Sequence, residues 1–238
     1  LKTSLNELPA IKNSLAYIQD ISSQICSVIC AEELNSSGEK NVFFDICSAP
    51  GGKLMTIYNS TTNKSETDFI AMDVQTRRLQ ILKDNLKHYI GKIDNLKVVC
   101  GNLKKIPFMF RSNEKKTVIL FDAPCSGSGI INRYPGKLFS MNKNNIMELS
   151  ELQFEGLKNI IESVKPGTTV IYSVCSVLFE ETYLIIQKIK KKYSNIVSGN
   201  IDNSIFKSVL KFYSTDEGNL IYPSSISDGF FIAKLIRL

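Results

Sequence analysis

The chain has 238 residues, of which 43% are hydrophobic, and a chain of this length can bury one substantial core. Its 29 lysines and arginines exceed its 23 aspartates and glutamates, and the net charge of +6 favours a polyanionic partner. Six cysteines without a C-x-x-C pair and a single histidine, His88, argue against zinc sites and serine–histidine triads and favour a reducing, intracellular compartment. This pattern leads us to expect no metal. No apolar run reaches the roughly 20 residues of a membrane span, so we expect no membrane partner.

The first predicted element is an amphipathic helix over residues 14–33, because Leu15, Ile18, Ile25 and Ile29 recur at helical spacing. Three short apolar runs follow, each is expected to be a strand, and each ends in an aspartate: 42–45, 69–73 and 118–122. Helical or turn patterns come after each run. Such alternation predicts a mostly parallel, twisted sheet with helices on both faces.

The second half of the chain continues this pattern with a helix over residues 147–164 and a strand over 169–172. Two further strands, 206–212 and 229–235, are expected to close the sheet as an antiparallel pair. We expect one domain over 1–238, with a helical lead-in at 1–38 and a Rossmann-like core at 39–238. The chain begins at Leu1 rather than methionine, which leaves room for a preceding targeting or RNA-binding segment.

Aspartates stand where a ligand site is expected in such a sheet. Ligands of open α/β sheets bind beyond the carboxyl ends of the strands, and Asp45, Asp73 and Asp122 fall there. The turn at 49–52 contains two glycines and presents N–H groups near a helix N-terminus, which suits a carboxylate or a phosphate. The P-loop and dinucleotide-binding patterns are both incomplete. Asp73 follows the turn by about twenty residues, the spacing of a residue that holds ribose hydroxyls.

Three ordered motifs, DICSAPGGK at 45–53, DAPCSGSG at 122–129 and YSVCS at 172–176, resemble those of the RNA cytosine-5 methyltransferases. This is the NOL1/NOP2/Sun family, which includes the RsmB-like proteins, and the likeness covers nearly the whole chain. The resemblance implies a class I S-adenosylmethionine-dependent methyltransferase fold. It also implies S-adenosylmethionine as the cofactor and RNA, either rRNA or tRNA, as the substrate.

By this resemblance the cofactor is held at several strand ends. The expected set is Cys47, Ser48, Ala49, Pro50, Gly51, Gly52, Lys53, Asp73, Arg78, Asn102 and Asp122. The segment around the glycines would wrap the methionine end, Asp73 would hold the ribose, and Arg78 would lie beside it. Asn102 stands where the family usually has an aspartate for the adenine amino group, and its amide oxygen still accepts a hydrogen bond, so we expect weaker adenine binding.

Carbon 5 of cytosine is a poor nucleophile, so a thiolate must first add at carbon 6. The resemblance assigns this attack to Cys175 and the later release to Cys125, with Asp122 bonded to the base and Lys53 as the cation that lowers the thiol pKa. In the enzymes that methylate cytosine in DNA, the cysteine of the Pro-Cys motif attacks instead. The reversed assignment therefore stays open.

Contacts with RNA are expected from residues close to the catalytic motifs. Arg111, Arg133 and Lys137 are candidates for phosphate contacts. Tyr134 or Phe139 is a candidate for stacking on an unstacked base.

Two other functions remain open at this stage. A methyltransferase of this fold that acts on a protein or a small molecule is disfavoured, because its chemistry needs no cysteine pair. An RNA-binding scaffold or partner subunit with little activity is suggested by Asn102 and by Val174, which stands where a threonine commonly precedes the nucleophile.

Overall fold

In a computed structural model of the chain, the residues described are 7–36, 40–103, 116–202, 204 and 210–238. The strands are β1 (Asn41–Ile46), β2 (Thr67–Asp73), β3 (Leu96–Cys100), β4 (Lys116–Asp122), β5 (Thr169–Val174), β6 (Ile196–Ser198), β7 (Phe212–Thr215), β8 (Gly218–Ile221) and β9 (Phe230–Arg237). The helices are α1 (Pro9–Lys12), α2 (Ile21–Asn35), α3 (Gly52–Ser60), α4 (Thr76–Tyr89), α5 (Lys137–Ser140), α6 (Lys143–Ser163) and α7 (Tyr183–Lys192). None of these helices is long and apolar enough to cross a membrane.

The described strands form one mixed sheet in the order β3-β2-β1-β4-β5-β9-β8-β7, and β6 pairs with β9. The pairings from β3 to β5 are all parallel, whereas β9 runs antiparallel to β5, β6 and β8. The predicted mostly parallel sheet with helices around it is therefore confirmed. Parallel pairing brings the carboxyl ends of β1, β2, β4 and β5 to one edge, where the predicted site residues lie.

Helices cover both faces of the sheet, which is why its central strands are mostly apolar. On one face Ile160 of α6 and Ile186 of α7 pack against the strands, and on the other Ile29 of α2, Ile57 of α3 and Leu82 of α4 do so. Every residue of β1 and β5 is buried. Burying one such isoleucine or leucine contributes roughly 1.5–3 kcal/mol, so the two apolar layers supply most of the driving force for this fold.

The first long helix begins later than its spacing pattern predicts. It starts at Ile21, because the Asp20 carboxylate caps it by accepting the backbone N–H of Ser22 at 2.9 Å. Leu15 and Ile18 lie before this cap and are 79% and 50% exposed. The predicted range 14–33 was wrong at its start, since local capping outweighed an apolar repeat that has nothing to pack against.

The C-terminal part of the sheet is more elaborate than the predicted pair of strands. The second predicted strand is confirmed as β9, and it runs antiparallel to its neighbours β5, β6 and β8. The first, at 206–212, falls mostly outside the described residues, and β7 begins only at Phe212. β7 and β8 form a tight hairpin around Asp216 and Glu217.

Candidate functional site

Two cysteines meet beyond the ends of β4 and β5. These strands pair in parallel with Asp122 opposite Ser173, so the segments that follow them leave the sheet side by side. The backbone N–H of Ala123 donates to the carbonyl of Ser173 at 2.9 Å, and that of Gly129 donates to the carbonyl of Cys175 at 3.0 Å. The Sγ atoms of Cys125 and Cys175 lie 3.3 Å apart as a result.

Glycine permits the close approach of the two segments. The N–H of Gly229 donates to the carbonyl of Gly129 at 2.8 Å. A Cβ atom on Gly129 would lie 1.9 Å from the Gly229 oxygen and 3.0 Å from the Cys175 oxygen. Any side chain at this position therefore pushes the cysteine segments apart.

An ion pair lies beside the cysteines. The Nζ atom of Lys53 lies 2.8 Å from Oδ2 of Asp122, and the Ser173 hydroxyl donates to Oδ1 of the same carboxylate at 2.8 Å. The ammonium also lies 5.3 Å from the centre of the Phe230 ring. The predicted cation is thus present, but its direct partner is Asp122 rather than a thiol.

The two thiols differ in their pKa values. The pKa of Cys175 is lowered chiefly by its hydrogen bond with Cys125; burial and the charge of Asp122 oppose this effect, and the charges of Lys53 and Lys137 add smaller contributions in the same direction as the hydrogen bond. The pKa of Cys125 is raised well above its usual range, because this thiol gives its hydrogen bond to Cys175 and is buried. Within the pair, these surroundings favour the thiolate at Cys175 over the thiolate at Cys125.

A buried carboxylate, Glu181, joins the segments that carry the cysteines. One oxygen accepts the N–H of Ser126 at 2.8 Å and the amide of Gln153 at 3.1 Å. The other accepts the hydroxyls of Ser126 and Ser176, both at 2.5 Å. Sequence reasoning gave Glu181 no role, although residues 180–181 are among those that resemble the family and a serine directly follows each cysteine.

A tight turn between β1 and α3 forms the other half of the site. Gly51 has φ +105°, and a Cβ atom there would lie 2.6 Å from Cδ1 of Leu82. The peptide bond between Ala49 and Pro50 is cis, and the N–H of Ser48 donates to the carbonyl of Met72 at 2.9 Å. The predicted glycine turn thus lies against the end of β2, and the N-terminus of α3 follows it.

Two buried aspartates face this turn. Burial raises the pKa of Asp45 to about 7, and its Oδ1 atom has no hydrogen-bond partner among the described residues. The Ser48 hydroxyl donates to its Oδ2 atom at 2.6 Å. Asp73 lies 3.1 Å from Nη1 of Arg78, whose Nη2 donates to the carbonyl of Ala49. The predicted neighbours Asp73 and Arg78 lie together. Asp45, which was expected at a ligand site but was not among the cofactor residues implied by the resemblance, lies at the same turn.

The remaining predicted cofactor residues adjoin this half of the site. Cys47 is partly buried with φ +67°, and burial raises the pKa of its thiol. The N–H of Gly101 donates to the carbonyl of Asp73 at 3.1 Å, which keeps Asn102 near the end of β2. Asn102 itself is exposed.

The residues predicted to contact RNA differ in their exposure and in whether other groups of the chain bind their side chains. Phe139 is 95% exposed and Tyr134 is 57% exposed, whereas the ammonium of Lys137 lies 3.5 Å from the Ser126 carbonyl beside the cysteines. The Nε and Nη2 atoms of Arg133 both donate to the Asp228 carboxylate, so an internal ion pair engages this guanidinium. Arg111 lies outside the described residues.

The strand order and the site at the carboxyl edge define the fold of the class I S-adenosylmethionine-dependent methyltransferases. Residues 32–236 match the family of the 16S rRNA methyltransferase RsmB/F, and the chain belongs to this family. The resemblance to the NOL1/NOP2/Sun proteins is thereby confirmed. S-adenosylmethionine as the cofactor is confirmed at the level of the family.

Individual relatives agree with this assignment. The chain is 32% identical over 233 residues to the ribosomal RNA small subunit methyltransferase B of Salmonella dublin, covering 98% of the chain and 49% of the relative. It thus spans about half the length of the curated relatives it matches. The crystal structure of NSun6 from Pyrococcus horikoshii with SFG has a TM-score of 0.79 and 25% identity, covering 99% of this chain and 56% of that one. A methyltransferase homologue from the same organism shares the fold, with a TM-score of 0.73 and 23% identity over 100% of this chain and 73% of that one.

Proposed function

We propose that the chain methylates carbon 5 of cytosine in RNA through a covalent bond to Cys175, with S-adenosylmethionine as the methyl donor. The observation that carries the proposal is the pair of thiols 3.3 Å apart, one with a lowered and one with a raised pKa. Methyl transfer to nitrogen or oxygen needs no such pair. The curated relatives act on ribosomal RNA by their names, and we propose the same substrate class here.

The residues at the ends of β1 and β2 fit this cofactor. The unpartnered Oδ1 atom of Asp45 and the carboxylate of Asp73 offer acceptors for an ammonium group and for ribose hydroxyls. The backbone of the Gly51 turn approaches without side chains, and the N-terminus of α3 favours a carboxylate. When bound there, S-adenosylmethionine supplies an electrophilic methyl group.

The two cysteines divide the chemistry on the base. The Cys175 thiolate forms a bond to carbon 6 of cytosine, and the electron pair of the 5,6 double bond makes carbon 5 nucleophilic. Asp122 accepts a hydrogen bond from the exocyclic amino group, while Lys53 compensates the charge of this carboxylate. Once carbon 5 carries the methyl group, Asp122 or water accepts its proton, the electron pair of that C–H bond re-forms the 5,6 double bond, and Cys175 leaves carbon 6 as a thiolate. Cys125, which holds a proton 3.3 Å from the departing sulfur, assists this release.

Exposed aromatic side chains close to Lys137 in the chain suit an unpaired RNA segment. Tyr134 and Phe139 are exposed, and the ammonium of Lys137 lies 3.5 Å from the Ser126 carbonyl in the segment after Cys125. Exposed rings stack on splayed bases, and the lysine attracts the phosphate backbone. We therefore place the flanking nucleotides over this surface.

Trapping with RNA that contains 5-azacytosine tests the proposal. This base has no proton at position 5 to lose, so the methylated adduct cannot resolve and the protein stays bound to RNA. We expect Cys175→Ala to abolish trapping, because it lacks the attacking sulfur. With ordinary RNA, Cys125→Ala should accumulate adduct, because release is impaired. Adducts are measured by denaturing gel electrophoresis with labelled RNA.

The matched control is Cys100→Ala, which removes an exposed thiol at the end of β3 that is not part of the cysteine pair and should trap like the unchanged protein. Loss of trapping in the Cys125 variant alone would reverse the two roles. If even the unchanged protein traps no RNA while it still binds S-adenosylmethionine by calorimetry, the alternative of an RNA-binding scaffold with little activity is favoured over an active enzyme.

A further inference from the structure

Glu181 is a buried carboxylate between the two segments that carry the cysteines. It ends a short 3-10 turn after β5 and is fully buried. Through Ser126 it holds the segment after Cys125, and through Ser176 it holds the segment after Cys175. One side chain thus fixes both sulfur-bearing segments at once.

The donors to this carboxylate are all neutral. They are a backbone N–H, two hydroxyls and an amide, so the four hydrogen bonds stabilise the negative charge without neutralising it. The Tyr172 hydroxyl adds a bond to the backbone carbonyl of Glu181 at 2.7 Å, which holds its backbone in place. A fixed negative charge therefore remains next to the cysteines.

This charge acts unequally on the two thiols. The Cys125 thiolate is disfavoured first by the hydrogen bond with Cys175 and by burial, and then by the charges of Cys175 and Glu181, whereas the backbone N–H of Gly127 favours it. Cys175 faces Lys53 and Lys137, which favour its thiolate, and Asp122, which disfavours it. The charged groups around the pair thus act differently on the two thiols: the charge of Glu181 raises the pKa of Cys125, whereas those of Lys53 and Lys137 lower the pKa of Cys175.

We propose that Glu181 is a positioning residue that holds the two cysteine segments together and assigns the roles of their thiols. Its four hydrogen bonds set the separation of the sulfurs, and its charge keeps the proton on Cys125, so that Cys175 is the sulfur that attacks. This inference rests on the proposed function and names what would make its two cysteines unequal.

Glu181→Gln separates the charge from the geometry. The amide oxygen of glutamine can keep the bonds from the Ser126 N–H and Gln153, and the hydroxyls of Ser126 and Ser176 can turn to accept from its NH2 group. The network therefore survives while the charge is lost. Glu180→Gln is the matched control, because it removes an equal charge one residue away, from a side chain outside the network.

Alkylation with iodoacetamide, read at each cysteine by mass spectrometry over about pH 6 to about pH 10, reports the thiolate fraction of each sulfur. In Glu181→Gln we expect the midpoint for Cys125 to move to lower pH, and its rate near neutral pH to rise on the order of tenfold per pKa unit. Glu180→Gln should behave like the unchanged protein. An unaltered Cys125 profile in a folded Glu181→Gln protein would overturn the assignment of roles.

Ser176→Ala tests the positioning part and serves if Glu181→Gln does not fold. It removes one tie to the carboxylate while the charge stays. We expect adduct formation with 5-azacytosine RNA to slow roughly tenfold or more, with unchanged affinity for S-adenosylmethionine. Adduct formation at the original rate would overturn this part. If even the unchanged protein forms no adduct, the proposed function fails, whereas the alkylation profiles still decide the role of Glu181.

Discussion

Asp45 and Asp122 stand at neighbouring strand ends but meet opposite electrostatic conditions. Asp122 is partly exposed and paired with Lys53, so its charge is compensated. Asp45 is 1% exposed and receives one hydroxyl bond, while the negative charges of Asp122 and Asp73 lie nearby. Its charged form is therefore costly in the folded protein. Sites of this kind are often retained for a ligand at the expense of stability.

We predict that Asp45→Asn stabilises the protein, and more at alkaline than at acidic pH. The folded pKa of about 7 lies above the usual aspartate value of 3.8, so the native state keeps a proton that the unfolded chain releases. Stability from this group is thus lost as pH rises from about 4 to about 7. The gain in unfolding free energy from the substitution should be larger at pH 8 than at pH 5 by on the order of 2 kcal/mol.

Urea denaturation at both pH values measures this difference. Asp68→Asn is the control, because it removes an exposed carboxylate from the neighbouring strand β2 and should change stability similarly at both pH values. Equal gains for Asp45→Asn at the two pH values would show that the Asp45 carboxyl titrates normally in the folded protein.

At the scale of elements, the sequence predicted those strands and helices whose pattern is set by burial. β1, β2, β4 and β5 are apolar runs covered on both faces, so their pattern was unambiguous. β3 is an edge strand without a fully buried residue, and it was missed. β6, β7 and β8 are only three or four residues long, and their existence depends on pairing with β9 or with each other.

The site was predicted in its parts but not in its arrangement. Motifs supplied Cys125 and Cys175, yet these residues are 50 positions apart, and only the pairing of β4 with β5 brings their sulfurs to 3.3 Å. The position of Lys53 on Asp122, rather than on a thiol, likewise depends on the pairing of β1 with β4, which brings the chain after β1 to the end of β4. Sequence reasoning gave Glu181 no role because it bonds to two serines that lie in different segments, and no local sequence pattern connects these serines.

We predict that Gly129→Ala disrupts catalysis through the backbone. Its Cβ atom would overlap the Gly229 carbonyl before β9 and would lie 3.0 Å from the Cys175 oxygen, so the segment after β4 must move away from both the segment before β9 and the segment after β5. Displacing one sulfur by about 1 Å can cost roughly 100-fold in rate. We therefore expect a loss of that order in adduct formation, together with destabilisation of about 1–3 kcal/mol from the overlap.

Gly136→Ala is the control in the same connection. Gly136 has φ −57°, and no described atom outside its immediate chain neighbours lies within 4 Å of where a Cβ atom would stand, so alanine is tolerated there without strain. Adduct kinetics and thermal unfolding of the two variants are compared. A Gly129→Ala protein with normal adduct kinetics would mean that the two segments can separate without consequence.

At the scale of the whole molecule, the proposed cofactor residues at the ends of β1 and β2 and the two cysteines after β4 and β5 lie at the same edge of one sheet. The turn after β1 contributes to both, because Gly51 lies beside the cofactor residues and Lys53 reaches Asp122. The core that supports them is continuous through β1 and β4, which pair along their length. A ligand bound at the ends of β1 and β2 should therefore stabilise the entire fold rather than one segment.

We predict that S-adenosylmethionine raises the melting temperature of the intact chain. At a hundredfold excess over its dissociation constant, a ligand that binds only the folded state adds about 2.7 kcal/mol. For a domain of this size that corresponds to a rise of roughly 5–10 °C, measurable by scanning fluorimetry. Asp73→Asn should reduce the rise, because it weakens the acceptor for the ribose, whereas Asp68→Asn on the same strand should not. An equal rise in both variants would place the cofactor away from the end of β2.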